Sequence, residues 1–186
     1  MAVPATKMSL ADYMVWEEQQ PDRNEFHRGE VFAMVGARRG HATVVGNLSR
    51  EIGNRLKGSP CRAFSKAAKV QVGEGTVLYP DVFVSCDRSF RPSDTVFTEP
   101  SLVIEVLSPT TQANDQGRKF ALYRQLASLR EYVLIDPDTR NVQAFRRNAA
   151  DEWVLHDMTD TAELALPCID TSVPMADLFD GVEPTE

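Results

Sequence analysis

The chain has 186 residues, enough for one well-buried core and too few for two comfortable domains, so one domain with short tails is expected across 1–186. Its 42% apolar and 25% charged residues are those of an ordinary soluble protein, and no apolar run approaches the roughly 18 residues a membrane span needs, which argues against a membrane partner. The net charge of −7 weighs against a nucleic-acid partner only as a whole-chain sum.

The opening residues, Met1 to Met14, have neither a basic start nor an apolar stretch of secretory type, so a cytoplasmic location is expected. Ser9, followed by Leu10, Tyr13, Met14 and Trp16, predicts a serine-capped helix that ends before Pro21. Glu25 to Val35, with Gly29 inside, reads as an extended, hairpin-like segment. His41, Val44, Val45, Leu48, Ile52 and Leu56 recur at three- and four-residue steps, predicting an amphipathic helix over 41–57 that stops at Gly58 and Pro60. Ala67 to Val72 and Val77 to Ser85 predict two paired strands around the Gly73 to Gly75 turn.

Leu102 to Leu107 is nearly continuous apolar sequence, the pattern of a strand covered on both faces. A helix from about Asn114 to Ser128 and a strand from Tyr132 to Ile135 follow, and that order implies a parallel pair joined by a crossover. Short strands at 142–145, 153–156 and 165–169 and an amphipathic turn at 175–179 complete the chain. Cys61, Cys86 and Cys168 are odd in number and match no zinc spacing, so they read as small core residues.

Charge is unevenly placed. Between 38 and 69 stand Arg38, Arg39, Arg50, Arg55, Lys57, Arg62, Lys66 and Lys69 against the single acid Glu51, whereas 150–186 holds no Lys or Arg. Such a region fits phosphate binding on one face, with Arg38, Arg39, Arg50, Arg55 and Lys57 as candidate nucleic-acid contacts; solvated helix and loop surface is the alternative.

Three ionisable residues stand where a purely structural chain would not put them. Asp81 interrupts the apolar run Leu78 to Val84, on a strand that Pro80 confines to an edge or bulge. Glu105 alternates onto the same strand face as Val103 and Leu107, where an unpaired carboxylate costs several kcal/mol. Lys119 lies near the centre of the apolar helix sector formed by Leu122, Tyr123, Leu126 and Leu129, with Asp115 at its edge, so it should face inward toward a buried partner. A helix folding back on the Glu105 strand brings the three together at one strand end.

Two carboxylates and a lysine can hold Mg²⁺ (or Mn²⁺), activate water and offset charge at a phosphate. A structural Glu105–Lys119 salt bridge is the alternative. Glu25, Glu30 and His41 are possible accessory members, each also readable as a solvated acid or a core histidine. His27 and His156 read as surface residues, and Ser108 and Thr110 as caps of the following helix.

Pro80-Asp81 with Glu105-Val106-Leu107 resembles the PD-(D/E)xK nuclease signature, except that Leu107 stands where a lysine is expected. Val103 to Thr111, followed by Asp115, Lys119 and Tyr123, then Glu131-Tyr132 and Asp136-Pro137, is similar to the Uma-type branch of that superfamily, as are Asn24-Glu25-Phe26, Gly29-Glu30 and His41. The likeness covers roughly 8–145. It implies an α/β fold, a restriction-endonuclease-like core with a central mixed sheet flanked by helices, and a lysine that has migrated to the helix position of Lys119. It also implies an Mg²⁺-dependent endonuclease with Asp81 and Glu105 as metal ligands and Lys119 beside them, acting on DNA ahead of RNA. A homodimer would suit a symmetric duplex cutter. The rival is a non-catalytic nucleic-acid-binding or regulatory module that keeps the fold.

Overall fold

The structure is a computed structural model and describes residues 7–34, 36–65, 68–89, 91–108 and 114–184, with the backbone alone at 114–116. Helix α1 (Leu10–Glu17) starts as the sequence predicts: the Ser9 hydroxyl accepts the Asp12 N–H at 3.1 Å, satisfying one of the first-turn donors. Strands β1 (Asn24–His27) and β2 (Glu30–Ala33) form the expected hairpin. Its two turn residues, Arg28 and Gly29, both have positive φ, 50° and 92°, the backbone twist that suits a two-residue hairpin. At Gly29 a Cβ would also meet Lys7 Cβ at 3.0 Å.

Helix α2 (Arg39–Arg55) is followed by β3 (Arg62–Ser65), β4 (Lys69–Val72), β5 (Thr76–Leu78) and β6 (Val82–Ser85). Then come β7 (Val96–Phe97), β8 (Pro100–Val106), a π-helical turn (Asn114–Lys119), α3 (Phe120–Tyr123) and β9 (Glu131–Ile135). The C-terminal part holds β10 (Val142–Arg147), β11 (Trp153–Asp157), β12 (Glu163–Leu166), a 3₁₀ turn (Pro167–Ile169), β13 (Thr171–Pro174) and α4 (Met175–Leu178). Among the described residues, one sheet has the order β2-β1-β5-β4-β7 and the other β11-β10-β9-β8-β6-β3, with β12 and β13 as a separate pair. Both larger sheets are mixed. In the second, β8 and β9 are the expected parallel pair and their neighbours run antiparallel.

The apolar pattern of β8 explains the layering. Leu102, Ile104 and Val106 face α2, packing with Val44, Leu48 and Ile52. Val103 and Leu107 face the other way, toward Val70, Val72 and Leu78 of the first sheet and Tyr123, Leu126 and Leu129 after the π turn. Each such side chain, fully buried, contributes about 1.5–3 kcal/mol. The outer face of the first sheet is covered by α1 through Tyr13, Phe26 and Val77.

Several expectations are corrected. The run 77–85 is two strands, not one: β5 belongs to the first sheet and β6 to the second, and Pro80-Asp81 is the crossing between them. Proline therefore ends a strand here, and β6 itself is interior, paired on both sides. The 114–128 helix is a π turn with one short α segment, ending in turns after Tyr123. Strands β3, β7 and β13 are additional.

Cys61 and Cys86 form a disulfide, with Cα atoms 3.9 Å apart. Arg62 pairs with Ser85, so the next positions outward meet across two strands that the sequence separates by 25 residues. Cys168 does remain free, and burial together with Glu131 pushes its thiol well above the ordinary range. His27 is half-buried, its Nδ1 2.8 Å from Thr76 Oγ1, so it is not a plain surface residue. Ser108 is described, whereas Thr110 and Lys66 lie outside the described residues, as does the Asp115 side chain.

Candidate active site

The register of β6 on β8 determines which acids meet. Val82 pairs with Ile104, so Asp81, one residue before the strand, comes alongside Glu105 and Val106. The Val106 N–H donates to Asp81 Oδ2 at 2.9 Å, and His41 Nε2 lies 3.1 Å from the same oxygen. His41 reaches it from the first turn of α2, whose buried stripe of Val44, Val45 and Leu48 places that helix on the sheet. Asp81, Glu105 and His41 are all buried.

On the other side of Glu105 stands Lys119, also buried, with Nζ 3.2 Å from Glu105 Oε1. The inward lysine predicted from the helix sector is present, although a π turn rather than an α-helix carries it. The same Nζ lies 3.0 Å from Glu25 Oε1, and Glu25 in turn accepts the Tyr79 N–H at 3.2 Å. Glu25 projects from the inner face of β1 and Glu105 from β8, so the lysine bridges the two sheets. The Tyr123 hydroxyl donates to Glu105 Oε1 at 3.4 Å.

Of the sequence candidates, Asp81, Glu105, Lys119, Glu25 and His41 are thus brought together. Glu30 is exposed on β2 and, among the described residues, makes no ion pair with this cluster. Tyr123 was legible as an apolar helix residue, but its hydroxyl contact depends on the tertiary approach of helix and strand.

The basic candidates divide. Arg38 and Arg39 flank the start of α2, within one turn of His41. Arg38 caps the helix without a side-chain hydrogen bond and lies 3.9 Å from Asp138. Arg50 and Arg55 are both paired with Glu51. Arg55 stands at the far end of a helix that rises about 1.5 Å per residue, so it and the exposed Lys57 are roughly 20 Å from the carboxylates. Lys69, counted in the basic region, is instead buried against Glu17 with Nζ 2.8 Å from Oε2.

That second ionic cluster escaped the sequence reading. Tyr79 donates its hydroxyl to Glu17 Oε1 at 2.6 Å, and Arg23 lies 3.7 Å from the same oxygen. Burial alone would raise the Glu17 carboxyl, but Lys69, the Tyr79 hydroxyl and Arg23 together hold it below the ordinary glutamate value. Burial, then Glu17, push the Tyr79 phenol far upward. A lysine in the apolar run of β4 was the available signal. Its meaning required knowing that Glu17 packs opposite.

Similar proteins agree with this architecture. A family model described as "Uma2: Putative restriction endonuclease" matches residues 10–176, a longer span than the 8–145 over which the motifs resemble that branch. Two uncharacterized proteins of Synechocystis sp. are similar along most of the chain. One is 32% identical over 182 residues, covering 97% of this chain and 96% of its own length. The other is 31% identical over 169 residues, covering 88% and 96%. A crystal structure from Anabaena variabilis, described as "a putative nuclease belonging to DUF820", superposes with a TM-score of 0.76 at 18% identity, covering 92% of this chain and 97% of that one. At that identity the likeness establishes the fold, a restriction-endonuclease-like mixed α/β architecture. With family match, relatives and fold in agreement, the chain belongs to the Uma2 family of restriction-endonuclease-like proteins.

Proposed function

We propose that the protein is a divalent-metal-dependent endonuclease that hydrolyses phosphodiester bonds in DNA, with Asp81 and Glu105 as metal ligands and Lys119 as the charge-stabilising or water-positioning group. The observation that carries this reading is the convergence of two buried carboxylates, Asp81 just before β6 and Glu105 on the adjoining β8, with a buried lysine 3.2 Å from Glu105. Family membership supplies the nuclease class and, with it, a nucleic-acid substrate.

The donor set fits Mg²⁺. Asp81 and Glu105 offer carboxylate oxygens, the hard donors such an ion prefers, from neighbouring register positions. Mg²⁺ requires only one or two carboxylates and completes its shell with water and substrate oxygens. When bound, the ion would supply Lewis acidity and an activated water.

The chain's own groups do the rest. The Val106 N–H and His41 orient the Asp81 carboxylate. Glu25 holds the Lys119 ammonium between the sheets, where a nearby positive group offsets charge developing on a phosphate. Tyr123 steadies Glu105.

Purified protein given linear, nicked and single-stranded DNA should release product with Mg²⁺ or Mn²⁺ and none with EDTA. A folded, metal-binding protein that cuts none of these substrates overturns the reading. Equal DNA binding with and without EDTA, again without product, would instead favour a binding module.

The positions of the arginines give a second expected result. Reversing Arg38 and Arg39 to glutamate should weaken DNA binding and flatten its salt dependence by roughly one unit of slope per lost phosphate contact. Reversing Arg50, Arg55 and Lys57 should have the smaller effect, because that end of α2 is remote from the carboxylates and two of its arginines are already paired. Anisotropy titrations over a salt series compare the two variants. A larger loss from the second set would mean that DNA follows the far end of the helix.

A further inference from the structure

One side chain beside the carboxylate cluster belongs to neither the core nor the ion pairs. Phe32 lies on the edge strand β2 and is 36% exposed, and it is absent from the three hydrophobic clusters. It pairs in register with Glu25. Directly opposed residues of antiparallel strands share a face, with Cβ atoms about 4.5–5.5 Å apart. The ring therefore stands beside the carboxylate that holds Lys119. The opposite face of the hairpin carries Phe26 and Val31 against α1, so Phe32 is not needed to anchor the hairpin there.

Arg118, the residue before Lys119, places its guanidinium carbon 4.6 Å from the Phe32 ring centroid, within cation–π range. Arg118 is exposed, as is Arg28 in the adjoining hairpin turn. Both act on His27, with Glu30 opposing them: burial first, then Arg118 and Arg28, hold its imidazole below the ordinary value. A lone exposed aromatic is unremarkable on its own. Here a flat ring, a planar guanidinium and a second exposed arginine adjoin a proposed phosphodiester-cleaving centre.

Stacking on a side chain needs a free base face. Intact duplex keeps its bases stacked on one another, whereas a single strand offers both the face and its phosphate. We propose that Phe32 and Arg118 form a stacking platform that seats an unpaired base of single-stranded DNA beside the phosphate at the Asp81, Glu105 and Lys119 cluster. Unpaired DNA is then the preferred substrate, and one protomer suffices to cut it. The position of the scissile phosphate rests on the nuclease reading; the platform itself does not.

The experiment measures affinity for a fluorescein-labelled single-stranded oligonucleotide and for a hairpin duplex of the same composition, with cleavage followed separately. Wild type should favour the single strand. Phe32→Ala should weaken single-strand binding about 5- to 150-fold, the effect of one lost base–aromatic stack, so that the preference over duplex collapses. Phe32→Trp should retain the preference. Unchanged single-strand affinity in Phe32→Ala, or equal losses on both DNAs, overturns the platform. If wild type cuts DNA while Phe32→Ala retains its preference, the platform fails and the nuclease reading stands. If binding depends on Phe32 but no DNA is cut with any metal, the reverse holds.

Discussion

Lys119→Met is expected to abolish DNA cleavage and to yield a protein that melts early in EDTA and recovers when Mg²⁺ is added. The loss of cleavage rests on the proposed role of Lys119, and the loss of stability on its ion pairs. Lys119 Nζ lies 3.0 Å from Glu25 and 3.2 Å from Glu105, and methionine preserves most of the stem while deleting the charge. The buried Glu105 and the half-buried Glu25 then lose their shared counter-charge, a change that costs about 3–5 kcal/mol in comparable buried pairs. At roughly 2–4 °C per kcal/mol for a chain of this size, melting should fall by about 6–20 °C. A divalent cation on Glu105 and Asp81 would replace part of the missing charge, so Mg²⁺ should raise the variant's Tm more than the wild type's.

Loss of a transition-state charge stabiliser should lower kcat by at least about 10²-fold, whatever the stability regained. Glu105→Gln separates ligand from base: a neutral amide is a poor ligand for a hard cation, so this variant should lose the Mg²⁺-dependent rise in Tm together with cleavage. A Lys119→Met protein that melts normally and still cuts would remove Lys119 from both structure and mechanism. The salt bridge and the catalytic site, opposed in the sequence reading, are compatible here: an ion pair can keep the lysine in place until metal and substrate arrive.

Glu17→Ala should give a comparably large loss of stability from outside that cluster. Glu17 is fully buried, 2.8 Å from the buried Lys69 ammonium, and it accepts the Tyr79 hydroxyl at 2.6 Å. Alanine leaves Lys69 uncompensated and the phenol without its acceptor, for an expected loss of about 3–5 kcal/mol, read as a drop in Tm or in the urea midpoint. The sign of the pH dependence follows from the lowered Glu17 carboxyl. Its contribution is fully present above the unfolded glutamate value of about 4.3 and is lost as pH falls through the lower folded value. The advantage of wild type over Glu17→Gln should therefore shrink on acidification below that value. An advantage that stays constant with pH would mean that Glu17 acts through packing alone.

The effect should also reach the carboxylates. Tyr79 donates its backbone N–H to Glu25 and immediately precedes Pro80-Asp81, so Glu17 anchors the segment that crosses between the sheets.

Local rules determined much of this protein from sequence alone. Ser9 capped the first helix, and the three- and four-residue rhythm from His41 to Leu56 specified α2 and its buried face. The unbroken run at 102–107 specified a strand covered on both sides, within which Glu105 was conspicuous because a lone carboxylate there demands a partner. Lys119 points inward as its place in the apolar sector implies, although a π turn rather than an α-helix carries it.

Periodicity does not state which strand lies next to which. The pairing of Cys61 with Cys86, the break at Pro80 that sends β5 and β6 into different sheets, and the meeting of Glu17 with Lys69 all depend on contacts between distant segments. The selection of Glu25 over Glu30 was decided the same way. Both lie on one hairpin, but Glu25 is on the inner strand beside β5 and Glu30 is on the edge, so Lys119 can reach the first while the second remains in water. An extended strand offers each acid the same local environment in sequence, and packing the two sheets face to face gave one of them a buried partner.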